Sequence, residues 1–289
     1  MMNKQKTSTI RTARKIRTVV SYVGLSILSL IWVFPIFWVV LASFRQEKGS
    51  YTSYFFPKGY TFANYQRLLF DAQQFHFARW FGNTLFVAIC SCAISTIFVL
   101  SVSYVMSRLR FKMRKPMMNI AMILGMFPGF MSMIAVYYIL KGIGISQSLL
   151  ALILVYSGGS GAGFFVAKGF FDTIPKAIEE AAYLEGATKL QVFYKIVMPL
   201  SKPIVVYTVL TSFLAPWMDY IFASVIMGDN YNNYTVAIGL AKMLEREFIT
   251  EYFTQFCAGC VMVAIPIALL FIVLQKYYVE GIASGAAKG

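Results

Sequence analysis

Residues able to do chemistry are thinly spread in this 289-residue chain, and their densest run is EEAAYLEGATKLQVFYKIVMPLSKP, Glu179 to Pro203. It mixes Glu179, Glu180 and Glu185 with Lys189, Lys195 and Lys202, a polar, helix-forming stretch between two apolar runs. A second constellation is Trp217, Asp219 and Tyr220, where a carboxylate lies beside an aromatic plane and a phenol. Such a set can stack on a sugar and hydrogen-bond its hydroxyls. Other candidates carry less. The single histidine, His76, builds no metal cluster without thiols and carboxylates from distant segments, so no metal site is expected. Cys257 and Cys260, like Cys90 and Cys92, lie in apolar runs and read as small packing residues. GGSGAG, Gly158 to Gly163, lies inside an apolar run, where small residues permit close helix packing. No Gly, four residues, Gly-Lys-Ser/Thr pattern occurs, so the chain does not cradle ATP by the P-loop route. With no nucleophile and base set, the chain does not read as an enzyme.

The elements that must position these residues are membrane helices. The chain is 58% hydrophobic and 13% charged, whereas charged residues make up about a quarter of a soluble domain. The net charge of +14 could suit a nucleic acid, but the basic residues sit in short loops between apolar runs, which makes them orientation signals. No nucleic-acid partner is expected. A bilayer core needs about 20 apolar helical residues. Runs 19–44, 80–107, 116–140, 142–167 and 252–275 meet that length, and 203–228 does so with one interruption at Asp219. The expectation is an all-α integral membrane protein with six spans. It divides into a basic amino terminus (1–18), a spanning domain (19–278) holding a polar loop (168–202), and a tail (279–289). The first run is too long for a cleaved signal peptide and should stay in the mature protein.

Eighteen Lys and Arg fall in the amino terminus, the second and fourth connections and the tail, against eight in the other connections. That asymmetry puts both termini and the 168–202 loop in the cytoplasm. Within the loop, Asp172 or Thr173 offers a helix start with Pro175 in the first turn, and Glu179 and Glu180 lie where the helix dipole favours acids. Gly186 fits the stop, Thr188 to Val197 reads as a second short helix, and Pro199 should end it. Counting about 1.5 Å per residue from Pro203, Asp219 lies about 24 Å into the fifth span, in its outer half. A carboxylate there is costly and should face a watery cavity or a partner, or cap within the assembly.

Glu180, Ala181, Ala182, three residues, Gly186, nine residues, Ile196, one residue, Met198 and Pro199 resemble the EAA motif of ABC importer permeases, with Met198 where the pattern has Leu. RWFGNTLFVA from Arg79, FLAPWMDYIFA from Phe213 and the ending VEGIASGAAKG are similar to the second, six-span permease of carbohydrate importers of the maltose type. Many such permeases carry Asn before the acid at the Trp217 motif; here Met218 stands there, so a polar contact at 218 is not implied.

The resemblance implies the type I importer permease fold and a sugar path, with maltodextrin-like oligosaccharides as substrate. It implies a homologous second permease, two ATPase subunits that use the ATP and Mg, and an extracytoplasmic solute-binding protein, all at a bacterial cell membrane. No cofactor is bound by this chain. Glu180, Ala181, Ala182, Gly186, Ile196 and Pro199 would couple to the ATPase, while Trp217, Asp219 and Tyr220 would line the path. The loop from Met227 to Phe248, with Asn230, Asn232 and Asn233, would meet the binding protein. The tail, too small-sided to bury a core and expected to be disordered alone, would reach the ATPase interface through Lys288 and Gly289. Two alternatives stay open: an importer of another small solute, and a secondary transporter, which would need more buried ionisable residues and paired broken helices.

Overall fold

A computed structural model describes residues 2–286 except 72, 127–128 and 160, with side chains described over 15–277 apart from those positions and 161–162. The described residues are helical, with a single isolated β-bridge between Arg45 and Tyr60. In chain order the helices are α1 (Met2–Ser43), α2 (Ala63–Phe70), α3 (Phe77–Arg108), α4 (Arg114–Gly125), α5 (Gly129–Gly142), α6 (Leu149–Gly158) and α7 (Gly161–Asp172). Then follow α8 (Lys176–Leu184), α9 (Lys189–Gln191), a π-helical turn (Val192–Val197), α10 (Met198–Leu200), α11 (Lys202–Met218), α12 (Ile221–Met227), α13 (Val236–Met243) and α14 (Ile249–Ala286).

Four stretches are long and apolar enough to cross a bilayer without a sharp bend: Lys15–Ser43, Phe77–Arg108, Leu149–Asp172 (α6 and α7 together) and Ile249–Tyr277. The other two expected spans are bent pairs. The third run divides into α4 and α5, which meet at 103°, and the fifth follows a bend of 83° between the 189–200 segment and α11. Counting each bent pair as one span gives the six that the sequence predicts, two of them bent. The fifth also stops at Met218 and restarts at Ile221, and the fourth begins at Leu149 and not at 142, because residues 143–148 form the outer connection. Glycines and prolines that a hydropathy window counts as apolar are the residues that release these turns.

The spans pack into two cores at opposite ends, named inner for the end that carries the 168–202 loop and outer for the other. The inner core joins Val99, Leu100 and Tyr104 of α3 to Ala167 and Phe171 of α7, Ala182 of α8 and Val192 and Val197 of the π-turn. The outer core holds Phe77, Trp80 and Val87 of α3 with Leu152 of α6, Ile226 of α12 and Val236, Ile238 and Met243 of α13. Between 15 and 37 the helix α1 is exposed nearly throughout, and only its outer end packs on α14, with Trp38 against Phe253 at 6.0 Å. At the carboxyl end, helix continues through Ala286 where an unstructured tail was expected from 279; Ala283 and Ala286 are strong helix formers and no proline intervenes.

The outer connection 228–248 is itself part of the core. Thr235 caps α13, accepting from the Ile238 amide at 3.5 Å, and Thr84 Oγ1 of α3 accepts from Val236 N at 2.8 Å. Trp80 donates from Nε1 to Tyr231 O at 3.0 Å and stacks edge-on with Tyr231. Gly239 lets α13 lie on the Trp80 ring: a Cβ there would stand 1.9 Å from Cε3. Gly239→Ala should therefore force Trp80 out of its site and destabilise the protein by about 1–3 kcal/mol. Gly82→Ala on α3, with nothing within 4 Å, should be neutral. Thermal melting of the purified variants in detergent compares the two.

Candidate coupling site

The polar loop folds into a platform on the inner end of the bundle. Pro175 occupies the cap position of α8, with φ −59° and ψ 129°, so the start lies after the proline and not at Asp172 or Thr173. Asp172 instead ends α7, where Oδ1 accepts from Ser107 Oγ at 2.5 Å and Oδ2 pairs with Lys168 Nζ at 2.6 Å. At the other end, Gly186 N donates to Tyr183 O at 3.0 Å and Ala187 N to Ala182 O at 3.0 Å, the paired bonds of a Schellman stop. The stop needs a left-handed residue, and Gly186 supplies it at φ +89°.

The second helix then starts on a capping box: Thr188 Oγ1 accepts from Gln191 N, and the Gln191 side chain accepts from Thr188 N. Over Val192–Val197 the hydrogen bonding widens to a π-turn, so the expected short helix is present with a bulge in it. Pro199 does not end it. It lies in the first turn of α10, and the chain breaks at Ser201 before turning into α11.

Helical spacing divides the motif between two faces. Glu179 and Ala182, three apart, point into the bundle, while Glu180 and Ala181 face outward. Leu184 is 90% exposed at the rim of the platform, with Leu190 and Tyr194 also exposed. Ile196 is half-buried against the inner core, and Pro199 is exposed.

Glu179 was not singled out from the sequence as more than a dipole partner, yet it anchors the platform. Its Oε1 lies 2.7 Å from Arg108 Nε, with the two side chains 7% and 5% exposed. Tyr104 donates its hydroxyl to Glu179 Oε2 at 3.2 Å, and Arg108 also donates to Ile174 O at 2.7 Å. The end of α3 is thus tied to the root of α8 by buried charge. The sequence did hold a signal: Glu179 shares the Ala182 face, and Arg108 opens the inner cation cluster.

The second constellation sits at the break between α11 and α12. Asp219 Oδ1 accepts from Phe222 N at 3.0 Å, capping α12, and Oδ2 accepts from the Tyr156 hydroxyl of α6 at 2.8 Å. Tyr156 was missed from the sequence because its span gave no sign of facing α11. Trp217 offers no free stacking plane: it is 4% exposed, packed on Phe81 and Phe213. Its indole N–H has no partner among the described residues. Tyr220 and Met218 are exposed.

On the outer end, Asn230 and Asn233 both donate their amides to Gln147 O, at 3.0 and 2.9 Å, and so brace the 143–148 connection. Only Asn232 of the three asparagines is exposed; its carbonyl accepts from Asn83. Lys288 and Gly289 lie outside the described residues. Cys257 and Cys260 are free thiols within the α14 packing. Among the described residues no group of His, Cys, Asp and Glu is arranged to hold a metal ion.

Glu179→Ala leaves Arg108 buried without its charge partner, which costs about 3–5 kcal/mol. The double variant Glu179→Leu, Arg108→Met removes both charges at similar volume and should recover most of the folded protein. Recovery of monodisperse protein on size exclusion, single against double variant, measures the difference.

Residues 99–283 match the family described as "Binding-protein-dependent transport system inner membrane component". The chain is 32% identical over 281 residues to the galactooligosaccharides transport system permease protein GanQ of Bacillus subtilis (strain 168), covering 97% of this chain and 99% of that one. It is 30% identical over 297 residues to the maltose/maltodextrin transport system permease protein MalG of Escherichia coli (strain K12), covering 96% and 98%. Among solved structures, a chain of a bacterial ABC transporter involved in the import of the acidic polysaccharide alginate superposes with a TM-score of 0.76 at 24% identity, over 91% of this chain and 97% of that one. The same fold extends to the MetNI methionine ABC transporter, with a TM-score of 0.55 at 17% identity. By sequence over nearly its whole length and by fold, the chain belongs to the family of inner membrane components of binding-protein-dependent transport systems.

Proposed function

We propose that this chain is the permease subunit of an ATP-driven sugar importer, with an oligosaccharide of the maltodextrin or galactooligosaccharide class as its solute. It forms half of the translocation path beside a homologous permease, and it binds no cofactor itself. Two ATPase subunits use the ATP and Mg, and an extracytoplasmic solute-binding protein delivers the sugar to the end where Asn232 is exposed. Both termini lie in the cytoplasm of a bacterial cell, on the side of the basic connections, and Lys288 and Gly289 extend towards the ATPase interface. The observation that carries the reading is the two-faced helix α8. Its inner face is locked to α3 through Glu179, while Glu180, Ala181 and Leu184 stand outward, exposed among the described residues.

In that reading the ATPase groove takes the outward face: Ala181 permits close approach, Leu184 is the apolar knob, and Glu180 meets a cation. The stop at Gly186 fixes the angle between α8 and the second helix, so the platform moves as one piece. Movement reaches the membrane by two routes, the Glu179–Arg108 pair to α3 and the 83° bend at Ser201 to α11. At the far end of α11 lies the break at Asp219. The exposed Tyr220 beside it offers its hydroxyl to a hydroxylated solute, while Trp217, buried on Phe81 and Phe213, holds the wall behind.

Glu180→Lys changes an exposed side chain and should leave the permease inserted at normal level while abolishing sugar uptake and ATPase co-purification. Gly186→Val places a branched residue at φ +89°, a strain of about 1–2 kcal/mol, and should uncouple in the same way. Normal uptake by both variants would overturn the coupling role.

Asp219→Asn keeps an acceptor for Phe222 N but removes the charge. If the break lines the sugar path, uptake per assembled complex should fall at least tenfold with assembly unchanged. Uptake falling only in proportion to assembly would assign Asp219 to capping alone. Both are read by radiolabelled sugar uptake normalised to complex recovered by affinity purification.

A further inference from the structure

The connection after the first span carries a group of aromatic residues that neither the platform nor the path uses. Residues 46–59 form a loop with a closed neck and an apolar tip. At the neck, Gln46 N donates to Gly59 O at 3.0 Å, and Glu47 Oε1 accepts from the Tyr54 hydroxyl at 3.0 Å and from Lys58 N at 3.2 Å. Lys58 Nζ lies over the Tyr54 ring at 4.9 Å. At the tip, Phe55 and Phe56 meet edge to face, and Phe56 is 63% exposed, as is Tyr51 at 86%.

The tip does not point away from the membrane. It folds back along α1, where Phe55 stacks on Phe34 with centroids 5.4 Å apart and planes at 16°. Residues 50–55 also line a hollow with Trp38, one turn nearer the outer end of the helix. Phe34 lies nine residues inside the end of α1 at Ser43, about 13 Å along the helix. The level of the bilayer follows from the other end. Arg17 is the last cation of the amino-terminal cluster, and about 20 helical residues beyond it, roughly 30 Å, reach Phe37. Trp38 then stands at the outer boundary of the hydrocarbon, and Phe34 and Phe55 lie just within it.

Two constraints fix what surrounds the tip. Its backbone is not helical, so it cannot lie deeper among acyl chains, where unpaired amides find no water. Its side chains are Tyr and Phe beside a Trp, the residues that favour the interfacial layer, and Lys48 and Lys58 flank them in sequence, Lys48 paired with Glu251 and Lys58 over the Tyr54 ring. On the α1 face beneath, Phe34 stays 56% exposed under the Phe55 ring and Phe37 stays 46% exposed.

We propose that residues 51–56 are an interfacial anchor seated in the outer leaflet of the membrane, with Phe55 and Phe56 against phospholipid where the glycerol layer meets the acyl chains. It sets the height of α1, which has little other packing on its own bundle. The inference rests on the membrane placement of α1 alone, so failure of the sugar reading leaves it standing. The test is a photoreactive benzoylphenylalanine at Phe56 in the whole complex, reconstituted in vesicles of phosphatidylethanolamine and phosphatidylglycerol and illuminated. The expected product is a phospholipid adduct on the peptide containing position 56, identified by mass spectrometry. A crosslink mainly to a second polypeptide would overturn the proposal in favour of a protein-covered tip, and absence of any adduct would overturn it in favour of a water-facing one. Should the Phe56 variant fail to assemble, the same probe at Tyr51 reads the same three outcomes.

Discussion

Where a chain passes through hydrocarbon, every backbone group freed by a helix break must find a partner inside the protein. That requirement organises this structure, because its spans are repeatedly interrupted: between α4 and α5, between α6 and α7, and between α11 and α12. The break after Met218 shows how the demand is met. Asp219 ends one helix, caps the next through Phe222 N and reaches across to Tyr156 of a neighbouring span, so one carboxylate closes the gap in the ladder and joins two segments. A charge in that place is tolerated because both of its oxygens are occupied.

The same logic holds at the inner end with higher stakes. Arg108 and Glu179 are both almost fully withdrawn from water, a placement that is stable only with close pairing and further hydrogen bonds. Tyr104 and the Ile174 carbonyl supply them. A flexible connector would leave these charges solvated. Their burial means the platform is part of the folded bundle, with the root of α8 fixed to the end of α3. Ser107, Asp172 and Lys168 extend the polar seam to α7, so two spans and the platform share one inner edge.

At the outer end, packing replaces charge. The 228–248 connection is held by Trp80, Thr84 and the Gly239 contact, which makes it a structural layer as well as a surface. Asn230 and Asn233 are used up in bracing Gln147, leaving Asn232 as the outward asparagine. One end of the molecule is thus keyed by buried charge and the other by aromatic packing, with the broken spans between them.

The sequence by itself determined the class of protein, the number of spans and the helix stop at Gly186, because each is local: a run of apolar residues, or a glycine that must take positive φ. It separated the basic connections from the others for the same reason. What only tertiary structure decided is which side of each element is spoken for. Glu179 and Glu180 are neighbours of identical chemistry, and the 100° turn between them sends one to Arg108 and the other outward. Trp217 looked like a free plane, and packing on Phe81 and Phe213 buried it; Pro199 looked like a stop, and the π-turn before it let the helix run on to Leu200. Tyr156 carried no mark at all until α6 was laid beside α11. Burial and pairing between segments distant along the chain are properties of the assembled fold, and no window of residues contains them.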